Sequence, residues 1–384
     1  MERKMNILMI PTWYSPLDAE VLTAGVFHYE QSIALKKYCN MALYYPFDPD
    51  LKSDFVKNEE RGLLTYRSRL YPGRVWKYIR WILDFRQIKK EFRPDILHAH
   101  VASMAGRFAV LLGKIYRIPV MITEHNAMEL MGLNSWKMRQ INQFAYSGSK
   151  ANVCVSSDSR ERLQQVFPKE KFQVIHNGIM NPSTVQNDGK RYAKEQRINC
   201  CIVAAFYNKE VKGYQYLLPA IGELIKQGVP IALHICGGGE YMDYYMQMAK
   251  DLGIFEHCIF YGNCKREQVY SIVKQMDFSI SASIFECSGV SVQEAMLLGK
   301  PLVVTKSGGA NSLVTPETAI VVERESASAL VDGIMQMINR LAEFDAKRIK
   351  EYAFAQFEID EVSKKYVRLY EKILEKPIRG KNES

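Results

Sequence analysis

Short apolar runs alternate with longer amphipathic stretches along almost the whole chain, and this alternation restricts the fold more than any other feature. In the first half the runs are Asn6–Ile10, Met41–Tyr45, Ile96–His98, Val120–Thr123, Ala151–Val155 and Phe172–Ile175. In the second half they are Cys200–Ala204, Ala232–Cys236, Ile259–Tyr261, Phe278–Ile280, Leu302–Val304 and Ala319–Val322. Between them lie helical patterns such as Phe27–Lys37, Ala105–Tyr116, Ser157–Val166, Tyr214–Gln227 and Tyr241–Leu252. Runs this short and this uniformly apolar predict strands buried on both faces. Their alternation with helices predicts parallel sheets, which is an α/β fold.

The series starts twice. Phe172–Ile175 leads into the turn signal His176-Asn177-Gly178, and the polar stretch from Asn181 to Arg197 reads as a linker. A second series then opens at Cys200. With roughly 100–200 residues per domain, a chain of 384 residues divides into a first domain at 1–181 and a second at 182–358. The last helical pattern, from Ile359, extends to about 378. Ligands of open parallel sheets sit beyond the carboxyl ends of the strands, so chemistry is expected there and in a cleft between the two domains.

Charge leaves several partners open. A formal charge of +9 suits anionic small substrates or an anionic membrane surface as well as nucleic acid. The opening Asn6–Ile10 run is stopped by Pro11, too short for a secretory core, and no run approaches the roughly 20 apolar residues of a membrane helix. The eight cysteines are scattered without a CxxC pair, as in a reduced cytoplasmic protein. Asp48-Pro49-Asp50 has the form of a metal-binding DxD but reads as a turn, and no His/Cys/Asp cluster has metal-ligand spacing. Neither a P-loop nor a Gly-x-Ser-x-Gly elbow is present.

The segment from Ser283 to Met296 carries the most chemistry. A helix over Val290–Leu298 is predicted to begin at Gly289, with Glu286 on the preceding loop and Glu294 about one turn into the helix. A helix N-terminus offers amides and partial positive charge to a phosphate, and a glycine lets that phosphate approach closely. Ionised carboxylates are pure acceptors and suit hydroxyl groups. A nucleotide sugar carries both kinds of group. Taken alone, Glu294 could equally be a helix-surface charge, Glu286 a solvated loop residue and Lys212 a solvated helix-start lysine.

The wider pattern is more specific. Glu286 and Glu294 in a Glu-x7-Glu-Ala arrangement are followed by Gly299-Lys300-Pro301 and Ser307-Gly308-Gly309. They are preceded by Gly25, Thr123-Glu124-His125-Asn126, Val155-Ser156, His176-Asn177-Gly178-Ile179, Lys212-Gly213 and Gly237-Gly238-Gly239. This ordered series, spanning nearly the whole chain, resembles glycosyltransferase family 4. The resemblance implies the GT-B fold, two facing Rossmann-like domains with an interdomain cleft. It implies an acceptor-binding first domain, a second domain that binds the nucleotide sugar, and a C-terminal helix packing back on the first.

It further implies transfer of a sugar from a UDP- or GDP-sugar to a hydroxyl of a glycan or lipid-linked acceptor. Retention at the anomeric carbon is implied, with no metal or other cofactor. Glu294 matches the family's ribose-holding glutamate and Glu286 the one facing the donor sugar, while Ser288, Gly289 and Val290 match the backbone that cradles the diphosphate. Lys212 matches the lysine that neutralises phosphate charge, His125 a histidine near the reacting sugar, and Gly25 the glycine loop after the first strand. His98 and His100 read as packing or supporting residues. Three positions depart from the pattern: Tyr207 stands where Arg or Asn is frequent, Ala24 where a second glycine is common, and Ser288 where an aromatic often precedes the glycine. Other outcomes of the same fold are an epimerase, a phosphorylase or a non-catalytic sugar-nucleotide-binding subunit.

Residues 67–93 are basic and aromatic, with Arg67, Arg69, Arg74, Trp76, Lys77, Arg80, Trp81, Arg86, Lys89 and Lys90. On a helix from Val75, the residues Trp76, Ile79, Ile82 and Leu83 could share a side, as in helices that lie on anionic interfaces. Peripheral attachment to the inner membrane face is the corresponding expectation, and nucleic acid is not an expected partner.

Overall fold

The computed structural model describes residues 3–14, 26–71, 73, 76–186 and 188–375. Gly25, the glycine expected to approach the phosphates or the acceptor, lies outside the described residues, as does Arg74. The chain forms two compact units, one of Met1–Val155, Ser159–Gly178 and Ile359–Ser384, the other of Ser156–Asp158 and Ile179–Glu358.

The first unit holds strands β1 (Asn6–Ile10), β2 (Asn40–Asp48), β3 (Phe55–Glu60), β4 (Leu63–Arg69), β5 (Ile96–His100), β6 (Val120–Glu124), β7 (Ala151–Cys154) and β8 (Phe172–Val174). They form one sheet in the order β3-β4-β2-β1-β5-β6-β7-β8. Every pair is parallel except β3 with β4. Its helices are α1 (Val26–Leu35), α2 (Trp76–Glu91), α3 (Arg107–Tyr116), α4 (Trp136–Gly148) and α5 (Ser157–Val166). The hairpin β3–β4 is not evident from apolar runs, because β3 reads FVKNEE and lies at the sheet edge. Charged residues on an edge strand hinder pairing with another chain.

The second unit holds β9 (Ile198–Val203), β10 (Ile231–Cys236), β11 (Cys258–Phe260), β12 (Phe278–Ser281), β13 (Leu302–Thr305) and β14 (Ala319–Val322). The helices are α6 (Tyr214–Lys226), α7 (Met242–Asp251), α8 (Arg266–Lys274), α9 (Val290–Leu297), α10 (Ala327–Arg340) and α11 (Ala346–Phe357). The sheet is wholly parallel, in the order β11-β10-β9-β12-β13-β14. From β9 the chain winds outward through β10 to β11, then returns to the far side of β9 and winds through β12 to β14. The switch point lies between β9 and β12, where adjacent loops part to opposite faces and leave a crevice.

Helix α12 (Ile359–Glu375) closes the described chain and belongs to the first unit. Its buried residues, Ile359, Val362, Ser363, Tyr366, Leu369, Tyr370 and Ile373, repeat at three- and four-residue spacing. That spacing is one face of a helix. Burying such a stripe is worth roughly 1.5–3 kcal/mol for each large apolar side chain.

Two expectations are corrected. The stretch from Asn181 to Arg197 is not a loose linker: Tyr192 is buried in the second unit's core, and its backbone amide donates to Gln275 Oε1 at 2.8 Å. Asp188 N likewise donates to Ser271 Oγ. One aromatic anchor and side-chain acceptors on α8 tie down a segment whose composition is otherwise polar. On α2, Trp76, Ile79 and Leu83 are exposed as expected, but Ile82 turns inward and packs against the core beside the buried Trp81 and Phe85. Asp48 of the DxD sequence is buried and paired with Arg67 Nε at 2.9 Å, and its Oδ1 accepts from Asp50 N in a local turn.

Candidate active site

The loops after β9 and β12 meet at the switch point of the second sheet. Ile284 N donates to Val211 O at 2.8 Å, tying the two loops together. Gly213, at φ +71°, heads α6, and a Cβ there would stand 1.9 Å from Ala282 O. Only a residue without a side chain allows both the left-handed backbone and this approach. As a result Lys212 Nζ reaches Glu286 Oε1 at 2.5 Å, and Ser283 Oγ donates to the same oxygen at 2.9 Å. Both members of the pair are largely screened from solvent, at 29% and 20% side-chain exposure.

The loop carrying Glu286 is held on its other side by the loop after β13. Glu286 N donates to Ser307 O and Gly309 N to Glu286 O, both at 2.8 Å. Gly289 takes φ +89° as the residue before α9, with Ala310 pressed against the place of its missing side chain. Ser288 is buried, its hydroxyl 3.5 Å from Gln293 Oε1, while Val290 is exposed at the head of the helix. Glu294 is half-buried, one helical turn further on, and accepts from the hydroxyl of the buried Tyr270 at 2.8 Å. Lys212, Glu286, Ser288, Gly289, Val290 and Glu294 are thus gathered by adjoining loops and one helix at the carboxyl end of one sheet. A cation, the positive end of a helix and two oriented carboxylates are what a phosphorylated polyol requires. Tyr207 is exposed, and Lys209 lies 4.2 Å over the ring of Tyr244. Gly237 and Gly239 press against the backbone of Ala204 and Phe206, which accounts for this glycine turn by packing alone.

The first unit presents a separate cluster at the carboxyl ends of β5 and β6. His100 Nδ1 and His125 Nε2 are 2.7 Å apart with stacked rings, and His28 of α1 meets His100 edge-on at a centroid distance of 4.5 Å. His98 bridges Tyr370 OH at 2.7 Å and Thr123 Oγ1 at 2.8 Å. Burial holds all four imidazoles neutral: His98 and His125 are pushed down to about 3, and His28 and His100 also fall below their ordinary value. Among the described residues, His28, His100 and His125 are the group whose ligating atoms lie close enough to share an ion, within 4.8 Å. The 2.7 Å contact joins His100 Nδ1 to His125 Nε2 and leaves the other nitrogen of His100 buried without a hydrogen-bond partner among the described residues. It is a hydrogen bond between neutral rings.

His125 is aimed by its neighbour. Glu124 is fully buried and accepts from His125 N and Asn126 N through one oxygen and from Ala102 N and Tyr146 OH through the other. Desolvation raises its pKa, opposed by these four donors. His100 is followed by Val101 at φ +77°, a costly conformation for a β-branched residue. Sequence reasoning missed Glu124 as a brace, His28 as a third imidazole, and Tyr270 and Ser283 as partners of the two glutamates. Glu124 lay within a motif already singled out; the others had no signal beyond residue type.

One wholly parallel sheet with a loop-and-helix cradle at its switch point, and a second sheet parallel except at its β3–β4 edge, define a two-domain α/β protein. A family model described as Glycosyl transferases group 1 matches residues 187–356, and one described as Glycosyltransferase Family 4 matches residues 31–180. The chain belongs to this family, the group 1 type of glycosyltransferase family 4, and is a glycosyltransferase. It is 24% identical over 297 residues to the N-acetyl-alpha-D-glucosaminyl L-malate synthase of Bacillus anthracis, covering 75% of this chain and 77% of that protein. It is 21% identical over 321 residues to the GPI3 subunit of the phosphatidylinositol N-acetylglucosaminyltransferase of Saccharomyces cerevisiae, covering 81% of this chain and 69% of that protein. Anabaena HepE, solved in complex with UDP, shares the fold with a TM-score of 0.75 at 17% identity, covering 96% of this chain and 100% of that one. The fold is GT-B.

Proposed function

We propose that this glycosyltransferase moves a sugar from a UDP- or GDP-sugar to a hydroxyl of a glycan or lipid-linked acceptor, with retention at the anomeric carbon, in glycolipid or polysaccharide synthesis. The observation that carries the donor assignment is the Lys212–Glu286 pair beside the Gly289 helix start. UDP bound to HepE and the N-acetylglucosaminyl products named for two relatives favour a UDP-sugar.

In this reading the second unit binds the donor. The amides around Gly289 and the Lys212 ammonium hold the diphosphate, Glu294 the ribose and Glu286 the sugar hydroxyls. The bond from the anomeric carbon to the diphosphate oxygen breaks, and the acceptor oxygen bonds to that carbon. The acceptor proton passes to the departing diphosphate, so no protein base is required at the acceptor. Lys212 stabilises the charge that develops on the leaving group, and Glu286 is a positioning residue. His125, in the acceptor-binding first unit, offers a neutral imidazole to a sugar hydroxyl. No metal takes part, so transfer should survive chelation by EDTA.

A panel of UDP-, GDP- and ADP-sugars in a thermal-shift screen tests the donor, since ligands that bind only the folded state raise its melting point. Proton NMR of the product's anomeric signal then reads retention or inversion. No shift with any nucleotide sugar, or a product of inverted configuration, refutes the corresponding part.

A peripheral membrane position is part of the same proposal. Trp76, Ile79 and Leu83 lie exposed at helical spacing on α2 among basic residues, and no helix among the described residues is long and apolar enough to cross a membrane. Flotation with anionic vesicles at low salt tests it, and failure to float overturns it.

A further inference from the structure

A cavity of about 630 Å3 opens on the first unit, lined by Arg3, Arg86, Lys89, Lys90 and Arg93, with Asp95 as its carboxylate. Arg3 precedes β1, Asp95 precedes β5 and Ile118, also in its wall, precedes β6. The cavity therefore lies at the amino ends of the strands, the edge opposite to the one that carries His100 and His125. Asp95 is already engaged: Arg3 Nη2 lies 3.1 Å from it and Asn6 N donates to it at 2.8 Å. Among the described residues Arg86, Lys89, Lys90 and Arg93 have no carboxylate partner, and Lys89 instead lies 4.9 Å over the ring of Tyr116.

Four unpaired cations around one concavity repel each other, and an anion that enters relieves the repulsion while gaining charge-assisted hydrogen bonds. Arg93 is held there in a left-handed backbone at φ +51°, where glycine would ordinarily end the helix. Asn6 fixes that turn by donating its side-chain amide to Phe92 O at 2.7 Å and to Arg93 O at 3.1 Å. Guanidinium forks match phosphate oxygens, and lysines add point charge. The volume is that of a small-ligand site.

We propose that this cavity binds a phosphate-bearing anion, as a second site separate from the candidate donor site. The ligand carries one or two phosphate groups, either free in solution or as the phosphate headgroup of an anionic lipid. The inference does not rest on the glycosyl-transfer reading, and no residue of that site takes part.

The test uses the full chain with two probes: inorganic pyrophosphate by titration calorimetry, and phosphatidylglycerol-containing vesicles by flotation against vesicles of phosphatidylcholine alone. Lys89→Glu/Lys90→Glu reverses two cavity charges. Lys169→Glu/Lys171→Glu makes the same charge change elsewhere on the first unit, outside both the cavity and the basic stretch 67–93, and melting temperatures check that both variants fold. The expected result is a loss of about tenfold or more in affinity for one of the probes in the Lys89/Lys90 variant, with the Lys169/Lys171 variant within about threefold of the parent. Loss confined to pyrophosphate assigns a soluble ligand, and loss confined to vesicles a lipid headgroup. Absence of binding to both probes, or equal loss in the two variants, overturns the proposal. Pyrophosphate binding unchanged in the Lys89/Lys90 variant, with no vesicle effect, places the anion elsewhere and overturns it as well.

Discussion

Lys212 and Glu286 share one short contact, but the chemistry proposed for them differs, and substitution separates the two roles. Lys212→Ala removes charge that is needed most as the diphosphate departs, so turnover should fall by about 10²–10³, measured as initial transfer rate at saturating donor. An unchanged rate would exclude Lys212 from the reaction. Glu294→Ala takes two acceptor oxygens from the ribose and should weaken UDP binding by about tenfold or more; unchanged calorimetric affinity refutes the ribose assignment. Tyr270 acts through the glutamate in this scheme and is a positioning residue. Tyr270→Phe is expected to raise KM for the donor about two- to fivefold, the worth of one hydrogen bond of roughly 0.5–1 kcal/mol, with kcat little changed. A fall in kcat with KM unaltered would count against this role. Lys212, Glu286 and Glu294 were legible in the sequence because their order and spacing repeat a known pattern. Tyr270 was not, since a tyrosine on a helical pattern is ordinarily read as core.

The site's loops depend on glycines whose roles differ from turn to turn. Gly213 combines φ +71° with a backbone oxygen 1.9 Å from where a Cβ would stand, whereas Gly228, at φ +85°, has nothing within 4 Å. Gly228→Ala should therefore cost about 1 kcal/mol, the backbone penalty alone. Gly213→Ala should cost at least about 2 kcal/mol more, because the loops after β9 and β12 must separate. Urea denaturation of the two variants measures the difference, and equal losses would show that the loops do not need their close approach. Strand and helix positions in the second unit follow the apolar runs closely: Ala319–Val322 matches residue for residue, and Phe278–Ile280 falls one residue short. The hairpin β3–β4 and the ordering of the stretch after Asn181 escaped the same reasoning. Their residues are polar, and their order comes from an edge pairing and from Gln275 and Ser271 on a distant helix.

For the molecule as a whole, buried neutral histidines make stability depend on pH. His98 and His125 in the first unit are held down to about 3, and His234 in the second to about 4, in each case chiefly by desolvation. The unfolded chain binds these protons near pH 6.5, so between the two values it holds more protons than the folded chain. The histidines' contribution is complete above pH 6.5 and is lost as the pH falls below it. At pH 5 each costs about 2 kcal/mol, and the melting temperature should fall clearly between pH 7 and pH 5. A flat profile would mean that these rings take up protons without penalty in the folded protein.

The sequence by itself determined the class of fold, the two starts of the βα series and the ordered motifs that carry the family. Each of these is written in local periodicity or in residue order. Tertiary structure alone decided which groups touch. The crossover of the second sheet at β9 and β12 brings Lys212 to Glu286 across 74 positions of sequence. The packing of α12 sets Tyr370 against His98 from 272 positions away. A buried polar atom must find a partner wherever the fold supplies one, and that partner has no reason to be near in sequence.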